Sequence, residues 1–255
     1  MEKLLPISDK DLTKSSVRQL RISMSNLLLV GCALAPFTMV YTILMTLIFD
    51  YAGSTYTHCQ VMNILPSMST VIRQQQPLWI FIIWAQLPAR LLAAWLYWRY
   101  RRRGLPLRAR ILKYLSLLLL VYNSVSSISA VQYGHLSGTF HNATALSSWI
   151  TGLGYIGLSH MSQKFGAYEP MGPHERLSNR IKRKMLFTNC TAMVVMWPFY
   201  VLHVNFCLTM AYSVFSFCEY ILTLSIACHI WTSYLDFYDV YLCLNLHFGC
   251  FLADA

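Results

Sequence analysis

The chain has 255 residues, of which 56% are hydrophobic and only 12% are charged. A soluble domain carries about 25% charged residues, so the composition excludes an ordinary soluble protein. The charges are also spread unevenly: none lies between Arg21 and Asp50, and none lies between Lys113 and Lys164. Because a membrane helix needs about 20 consecutive apolar residues, we predict an all-α, polytopic membrane protein.

Six apolar runs are long enough to cross a bilayer, and none shows the alternating pattern of a membrane barrel. The predicted spans are approximately 24–49, 78–98, 112–132, 145–163, 185–204 and 209–233. The first run is too long for a cleaved signal peptide and follows a polar tail, so it is expected to be an uncleaved signal anchor. The whole chain, residues 1–255, is predicted to form a single membrane domain.

Lysine and arginine determine the predicted orientation, because cytosolic loops of membrane proteins are enriched in both. Eighteen of the 20 basic residues lie in the N-terminal tail, the loop after span two or the loop after span four. This distribution places both termini in the cytosol and the loop 50–77 in the lumen. The net charge of +10 is then a topology signal, aided by anionic lipids of the cytosolic leaflet, and no nucleic-acid partner is expected.

The predicted lumenal side carries two further features. Asn142 begins a glycosylation sequon with Ala143 and Thr144, between spans three and four. Cys59 lies in the loop 50–77 and Cys207 in the turn before span six, and an oxidising lumen would permit a disulfide between them. The alternatives are two free thiols, or cysteines buried as small apolar side chains.

Two ionisable residues lie inside predicted spans, where desolvation is costly and a functional role is the default interpretation. Arg90 lies in span two and Glu219 in span six, both near mid-depth. One interpretation is an ion pair that holds the two helices together. In the other, Arg90 binds a lipid phosphate or carboxylate, and Glu219 acts as a base or an orienting group.

Span six also carries a polar stripe at its cytosolic end. Ser225, His229, Ser233 and Asp236 follow the helical period and therefore share one face of the helix. His229 is a candidate base, and so is His160 near the cytosolic end of span four, although both could equally form hydrogen bonds between helices. The sequence shows no metal-ligand spacing, Walker loop, HExxH motif or nucleophile elbow, so neither a metal nor a cofactor is expected.

Four stretches resemble the FRAG/DRAM/Sfk membrane family, in the same order along the chain. They are Thr57–Ile72 (THCQVMNILPSMSTVI), Leu87–Trp98 (LPARLLAAWLYW), Gly157–Met161 (GLSHM) and His203–Phe237. The resemblance covers residues 15–240, approximately. The family has an arginine in span two, a His-then-Cys turn and a Glu-Tyr pair in span six, which here match Arg90, His203 with Cys207, and Glu219 with Tyr220.

The resemblance implies a multi-pass protein of the Golgi and endoplasmic-reticulum membranes that acts in GPI-anchor lipid remodelling. In that process an unsaturated chain is removed, and a saturated fatty acyl chain is then restored to the lyso-GPI intermediate. The implied role is in the second step, either as the acyltransferase or as an essential factor for one, with the acyl donor left open. GPI lipid, GPI-anchored proteins and membrane lipids are the implied partners.

An acyltransferase of this kind needs a basic group for the phosphoinositol and a histidine base for the glycerol hydroxyl. The catalytic candidates are His229, Glu219 and His160, and the substrate-binding candidates are Arg90, His58 and Asn63. Within the lumenal loop, Asn63, Pro66, Ser67 and Ser69 could shape a lid over the lumenal mouth of the helix bundle, where the GPI headgroup would arrive. A non-catalytic lipid-binding scaffold or chaperone for GPI-anchored cargo and a small membrane transporter are the alternatives. The tail after Asp239 departs from the family pattern; it is too short to span and is expected at the membrane interface.

Overall fold

Helices dominate the computed structural model, which describes residues 20–99, 105–134, 136–166, 172–245 and 249–254. Six helices are long: α1 (Met24–Phe49), α4 (Gln76–Arg99), α5 (Leu107–Tyr133), α6 (Gly138–Gly166), α7 (Pro173–Phe206) and α8 (Ala211–Trp231). Three are short: α2 (Tyr51–Thr55), α3 (Met68–Gln74) and α9 (Ser233–Asp236). The prediction of a helical membrane protein is confirmed.

The first five predicted spans each lie within a long helix, and the sixth, 209–233, covers α8 and extends slightly beyond both of its ends. Five segments of the described chain are long and apolar enough to cross a membrane: α1, α4, α5, α7 and the stretch from α8 through α9. Helix α6 has 29 residues but contains no stretch as apolar as those of the other five. Six spans and two cytosolic termini therefore stay predictions. The basic residues before Leu20 and the arginines at 101, 102 and 103 lie outside the described residues.

The helices pack largely as sequence neighbours, with α5 against α6 and α7 against α8, while α1 packs against both α4 and α8. Small residues allow the closest approaches. A Cβ atom added at Gly31 of α1 would lie 2.5 Å from the Cβ of Ala89 in α4. One added at Gly152 of α6 would lie 2.4 Å from the side chain of Ile226 in α8. Close packing at small residues is the usual way in which membrane helices associate.

The two ends of the described chain meet in a three-stranded antiparallel sheet. Strand β1 (Leu20–Ser23) pairs with β2 (Val240–Asn245), which pairs with β3 (Gly249–Asp254). The strands of the tail were not predicted from the sequence, and the position of the tail at the membrane interface stays a prediction. A hairpin forms because it pairs the backbone groups of the tail while Val240 and Cys243 are buried, at 3% and 1% exposure.

A buried charge cluster lies where α4, α7 and α9 meet. The Lys182 ammonium forms an ion pair with the Asp236 carboxylate, and both side chains are only 1% exposed. Lys182 Nζ also donates a hydrogen bond to the Tyr97 hydroxyl at 3.1 Å, and that hydroxyl donates to Asp236. The predicted spans leave Lys182 in a cytosolic loop, whereas it lies inside α7, which begins well before the predicted span.

We expect Asp236→Asn to destabilise the protein by about 3–5 kcal/mol, because it leaves the buried Lys182 ammonium without its counter-charge. Thermal unfolding in detergent micelles measures this as a lower melting temperature. Asp239→Asn is the matched control, since Asp239 is exposed and its loss should leave the melting temperature unchanged. Equal melting temperatures for the two variants would contradict a stabilising role of the buried pair.

Candidate functional site

A cavity of about 110 Å³ lies between α1, α3, α4, α5, α6 and α8. One buried water needs roughly 10–15 Å³, so the space can hold several waters or part of a lipid. Part of the lining is apolar and includes Met39, Trp79 and Ile83. The remainder carries polar side chains, among them Gln86, Arg90, Asn123, Ser127, Ser148 and Glu219.

Arg90 is the cation of this cavity. It is 8% exposed, and its Nε donates a hydrogen bond to Oε1 of Gln86, one turn earlier in α4, at 3.2 Å. Among the described residues no carboxylate is ion-paired with Arg90, so the predicted ion pair with Glu219 is absent. A buried charge normally requires a counter-charge, and the amide of Gln86 does not supply one.

Glu219 connects the cavity to the segment above it. Its Oε2 accepts a hydrogen bond of 2.9 Å from the backbone N–H of Met68, the first residue of α3. Ser67 is the N-cap of the same helix and accepts a hydrogen bond from the Thr70 N–H. Unpaired N–H groups at a helix start attract a carboxylate. Glu219 therefore fixes α3, which contributes Met68 to the cavity wall.

Residues 56–75, here called the lid, lie against the start of α8. The Met62 carbonyl accepts a hydrogen bond from the Met210 N–H at 3.2 Å, and Ser213 Oγ accepts one from the Ile64 N–H at 2.8 Å. The Tyr220 hydroxyl donates to the Pro66 carbonyl. These bonds satisfy backbone groups that a buried loop would otherwise leave unpaired, and they hold the lid over the cavity.

A disulfide joins the lid to the turn between α7 and α8. It links Cys59 to Cys207, whose Cα atoms are 5.3 Å apart and 148 residues apart in sequence. Within that turn Cys207 and Met210 adopt φ angles of 47° and 66°, in the left-handed region that is unfavourable for residues other than glycine. Such a backbone persists only where surrounding contacts hold it, and here the disulfide and the lid provide them.

The lid residues proposed from sequence to bind substrate lie away from the cavity. His58 is exposed, and its Nε2 is 3.3 Å from Cys59 Sγ. Asn63 is 5% exposed and donates from Nδ2 to the Val61 carbonyl within the lid at 3.1 Å. Ligand atoms of His58, Cys59 and Cys207 lie within 4.8 Å of one another, but disulfide sulfurs are not the thiolates that bind metals.

The three predicted catalytic residues are not brought together. Glu219 lines the cavity, whereas His229 and His160 do not. His229 lies ten residues after Glu219 in α8, roughly 15 Å along the helix axis. The His229 ring contacts the Tyr155 ring edge-on, with centroids 5.1 Å apart, and neither ring nitrogen has a hydrogen-bond partner in the described part of the chain.

The polar stripe of span six serves helix packing. Ser225 Oγ accepts a hydrogen bond of 2.6 Å from Asn189 Nδ2 of α7, and Asp236 pairs with Lys182. In the described part of the chain the stripe's interhelical bonds are made by Ser225 and Asp236, and not by the ring of His229. The sequon residue Asn142 is exposed near the start of α6, and its glycosylation stays a prediction.

The wall formed by α5 and α6 was missed by the sequence analysis. Asn123 Nδ2 donates to the Ser148 carbonyl at 2.6 Å and lies 3.2 Å from its Oγ, and the hydroxyls of Ser127 and Ser148 are 2.7 Å apart. Asn123 and Ser127 are one turn apart in an apolar run, a spacing that could have indicated a polar helix face. Gln86 and Arg90 show the same spacing.

This fold and site define a class: polytopic helical membrane proteins with a polar-lined cavity inside the helix bundle. The chain belongs to the family described as Frag1/DRAM/Sfk1/Cwh43P N-terminal domain, whose model matches residues 23–240. The family resemblance noted from the sequence motifs is thereby confirmed. The matched region contains all six long helices.

Two named relatives align with more than nine-tenths of the chain, and a third aligns with about four-fifths of it. Post-GPI attachment to proteins factor 2 of Drosophila melanogaster is 28% identical over 242 residues, which is 92% of this chain and 94% of that protein. The protein of the same name in Drosophila pseudoobscura pseudoobscura is 29% identical over 243 residues, 92% of this chain and 93% of its own. Post-GPI attachment to proteins factor 2-like of Drosophila melanogaster is 26% identical over 210 residues, which is 78% of this chain and 65% of that protein. No solved structure matches the chain significantly.

Glu219→Ala should loosen α3, because it leaves the buried Met68 N–H without an acceptor, which costs about 1–3 kcal/mol. Hydrogen–deuterium exchange should then be roughly fivefold faster or more in Met68–Gln74. Glu219→Gln is the matched control, since its side-chain carbonyl can still accept the bond and exchange should stay closer to the wild-type rate. Equal exchange in the wild type and the alanine variant would show that Glu219 does not hold the lid.

Proposed function

We propose that this chain acts in GPI-anchor lipid remodelling and that its cavity binds the lyso-GPI intermediate to which a saturated acyl chain is restored. Two relatives that align over more than nine-tenths of their length carry the name post-GPI attachment to proteins factor 2. The observation that carries the proposal is Arg90, a buried guanidinium on the cavity wall whose described hydrogen-bond acceptor is a neutral amide.

A lipid phosphate would supply the counter-charge that Arg90 lacks. The planar guanidinium binds phosphate oxygens with two parallel hydrogen bonds, and Gln86 orients it by accepting at Nε. Charged residues in membrane helices usually face a bundle interior or a hydrated cavity. The polar groups of Asn123, Ser127 and Glu219 on the same wall form a hydrated route by which a headgroup can reach Arg90.

The rest of the cavity fits an amphipathic ligand. Met39, Trp79 and Ile83 offer an apolar surface for a hydrocarbon chain. The amide and hydroxyls of Asn123, Ser127 and Ser148 offer hydrogen bonds for the glycerol and inositol hydroxyls. The lid covers this space and is tied to α8 by Glu219 and to the α7–α8 turn by the disulfide, so it can act as the roof over a bound headgroup.

A non-catalytic lipid-binding scaffold is a second candidate, and two observations favour it. Glu219 is occupied in holding Met68, and the predicted catalytic histidines His229 and His160 lie outside the cavity lining. Purified chain in liposomes, given a lyso-GPI-anchored reporter and labelled acyl donors, separates the two candidates. Acyl transfer by the chain alone indicates an enzyme, whereas lyso-GPI binding without transfer indicates a scaffold.

Arg90→Gln should reduce photocrosslinking of a photoactivatable lyso-GPI analogue to the reconstituted protein by at least about tenfold. The expected loss corresponds to a charged hydrogen bond of about 1.5–3 kcal/mol. Arg73→Gln is the matched control, because Arg73 is exposed and lies outside the cavity wall. Crosslinking of Arg90→Gln at the wild-type level, in a variant with an unchanged melting temperature, would contradict the proposed site.

A further inference from the structure

His141 is the one histidine on the wall of the cavity among the described residues. It lies one turn into α6, and Ala145 and Ser148, at the following turns of the same face, also line the cavity. His141 Nδ1 is 3.3 Å from the carbonyl oxygen of Ala130 in α5. His141 falls in a predicted loop beside the sequon and is therefore not among the candidates named from the sequence.

The contact with Ala130 determines the tautomer of His141. A carbonyl oxygen can only accept a hydrogen bond, so Nδ1 must carry the proton. In a neutral imidazole the other nitrogen, Nε2, is then an acceptor. Within the described part of the chain, the hydrogen bonds of the His141 ring include none to Nε2. This arrangement, with one nitrogen held by a backbone carbonyl and the other available as an acceptor, is how proteins orient a histidine base.

We infer that His141 is the general base of acyl transfer to lyso-GPI, an assignment that rests on the proposed function of the cavity. Phosphate and glycerol hydroxyl are only a few bonds apart in a lyso-lipid, so a phosphate at Arg90 leaves the hydroxyl inside the same small cavity. His141 and Arg90 both line that cavity. Glu219 also lines the cavity, but its carboxyl group already accepts the hydrogen bond that holds the lid.

The step uses an acyl ester or thioester as donor. His141 Nε2 takes the proton of the free glycerol hydroxyl as the hydroxyl oxygen attacks the donor's carbonyl carbon. A new C–O ester bond forms, and the C–O or C–S bond of the donor breaks as the tetrahedral intermediate collapses. The departing alkoxide or thiolate recovers the proton from the imidazolium, so the imidazole returns to its starting state.

His141→Asn separates this role from a structural one. The Asn side-chain amide can still donate to the Ala130 carbonyl but cannot accept a proton. We expect turnover of a lyso-GPI-anchored reporter, with labelled acyl-CoA or phosphatidylcholine as donor, to fall at least about 100-fold. Photocrosslinking of lyso-GPI and the melting temperature should stay at the wild-type level. His174→Asn is the matched control, since His174 stacks on Tyr238 outside the cavity.

The outcomes distinguish the inference from the proposed function. Turnover of His141→Asn within about threefold of wild type, or a wild type that crosslinks lyso-GPI but transfers no chain from either donor, overturns the assignment of His141. If the wild type crosslinks lyso-GPI no more strongly than the Arg90→Gln variant does, the proposed lipid site itself is contradicted. If His141→Asn does not fold, His141→Gln provides the same comparison.

Discussion

The hydrogen bond from the Met68 N–H to the Glu219 carboxylate joins the two parts of the site. It places a carboxylate of α8 at the start of α3, where helical N–H groups are unpaired. The lid, the cavity wall contributed by Met68, and the tether from Cys59 to Cys207 all depend on the lid keeping this position. A single buried acid thus couples the loop to the helix bundle.

Three buried charges are compensated in three different ways. Glu219 is held by a backbone N–H, Lys182 by the carboxylate of Asp236, and Arg90 by the neutral amide of Gln86. Only Lys182 meets an opposite charge, whereas Glu219 and Arg90, both on the cavity wall, each meet a neutral group. Because the cost of burying a charge is large, the Arg90 guanidinium without a counter-charge indicates where an anionic ligand contributes.

The helix positions could be predicted because they follow mainly from the cost of burying charge in lipid. Long stretches without charge, such as the one between Arg21 and Asp50, leave a transmembrane helix as the stable structure. The placement of Cys59 and Cys207 on the side opposite the basic loops likewise follows from topology. Arg90 and Glu219 were recognised as candidates for the same reason, since an intramembrane charge is rare in any sequence.

The contacts of the buried polar side chains could not be predicted, because they depend on which residues the folded chain brings together. Glu219 accepts its hydrogen bond from a backbone N–H. Because every residue except proline carries such a group, the sequence does not identify the donor. Lys182 resembles a loop charge because α7 continues beyond its apolar run, and the buried Asp236 that pairs with it lies far along the chain. His141 lies in a short polar stretch, and only the packing of α5 against α6 places it on the cavity wall.

The central claim is that the Arg90 cavity holds the phosphate of a lyso-GPI lipid. Cryo-electron microscopy of the chain in a lipid nanodisc with lyso-GPI tests it most directly. The account predicts phosphate density within hydrogen-bonding distance of the Arg90 guanidinium, below an ordered lid. Lipid density confined to the outer helix surface near Phe187 and Val194, which are exposed, with Arg90 paired to a protein carboxylate, would contradict it.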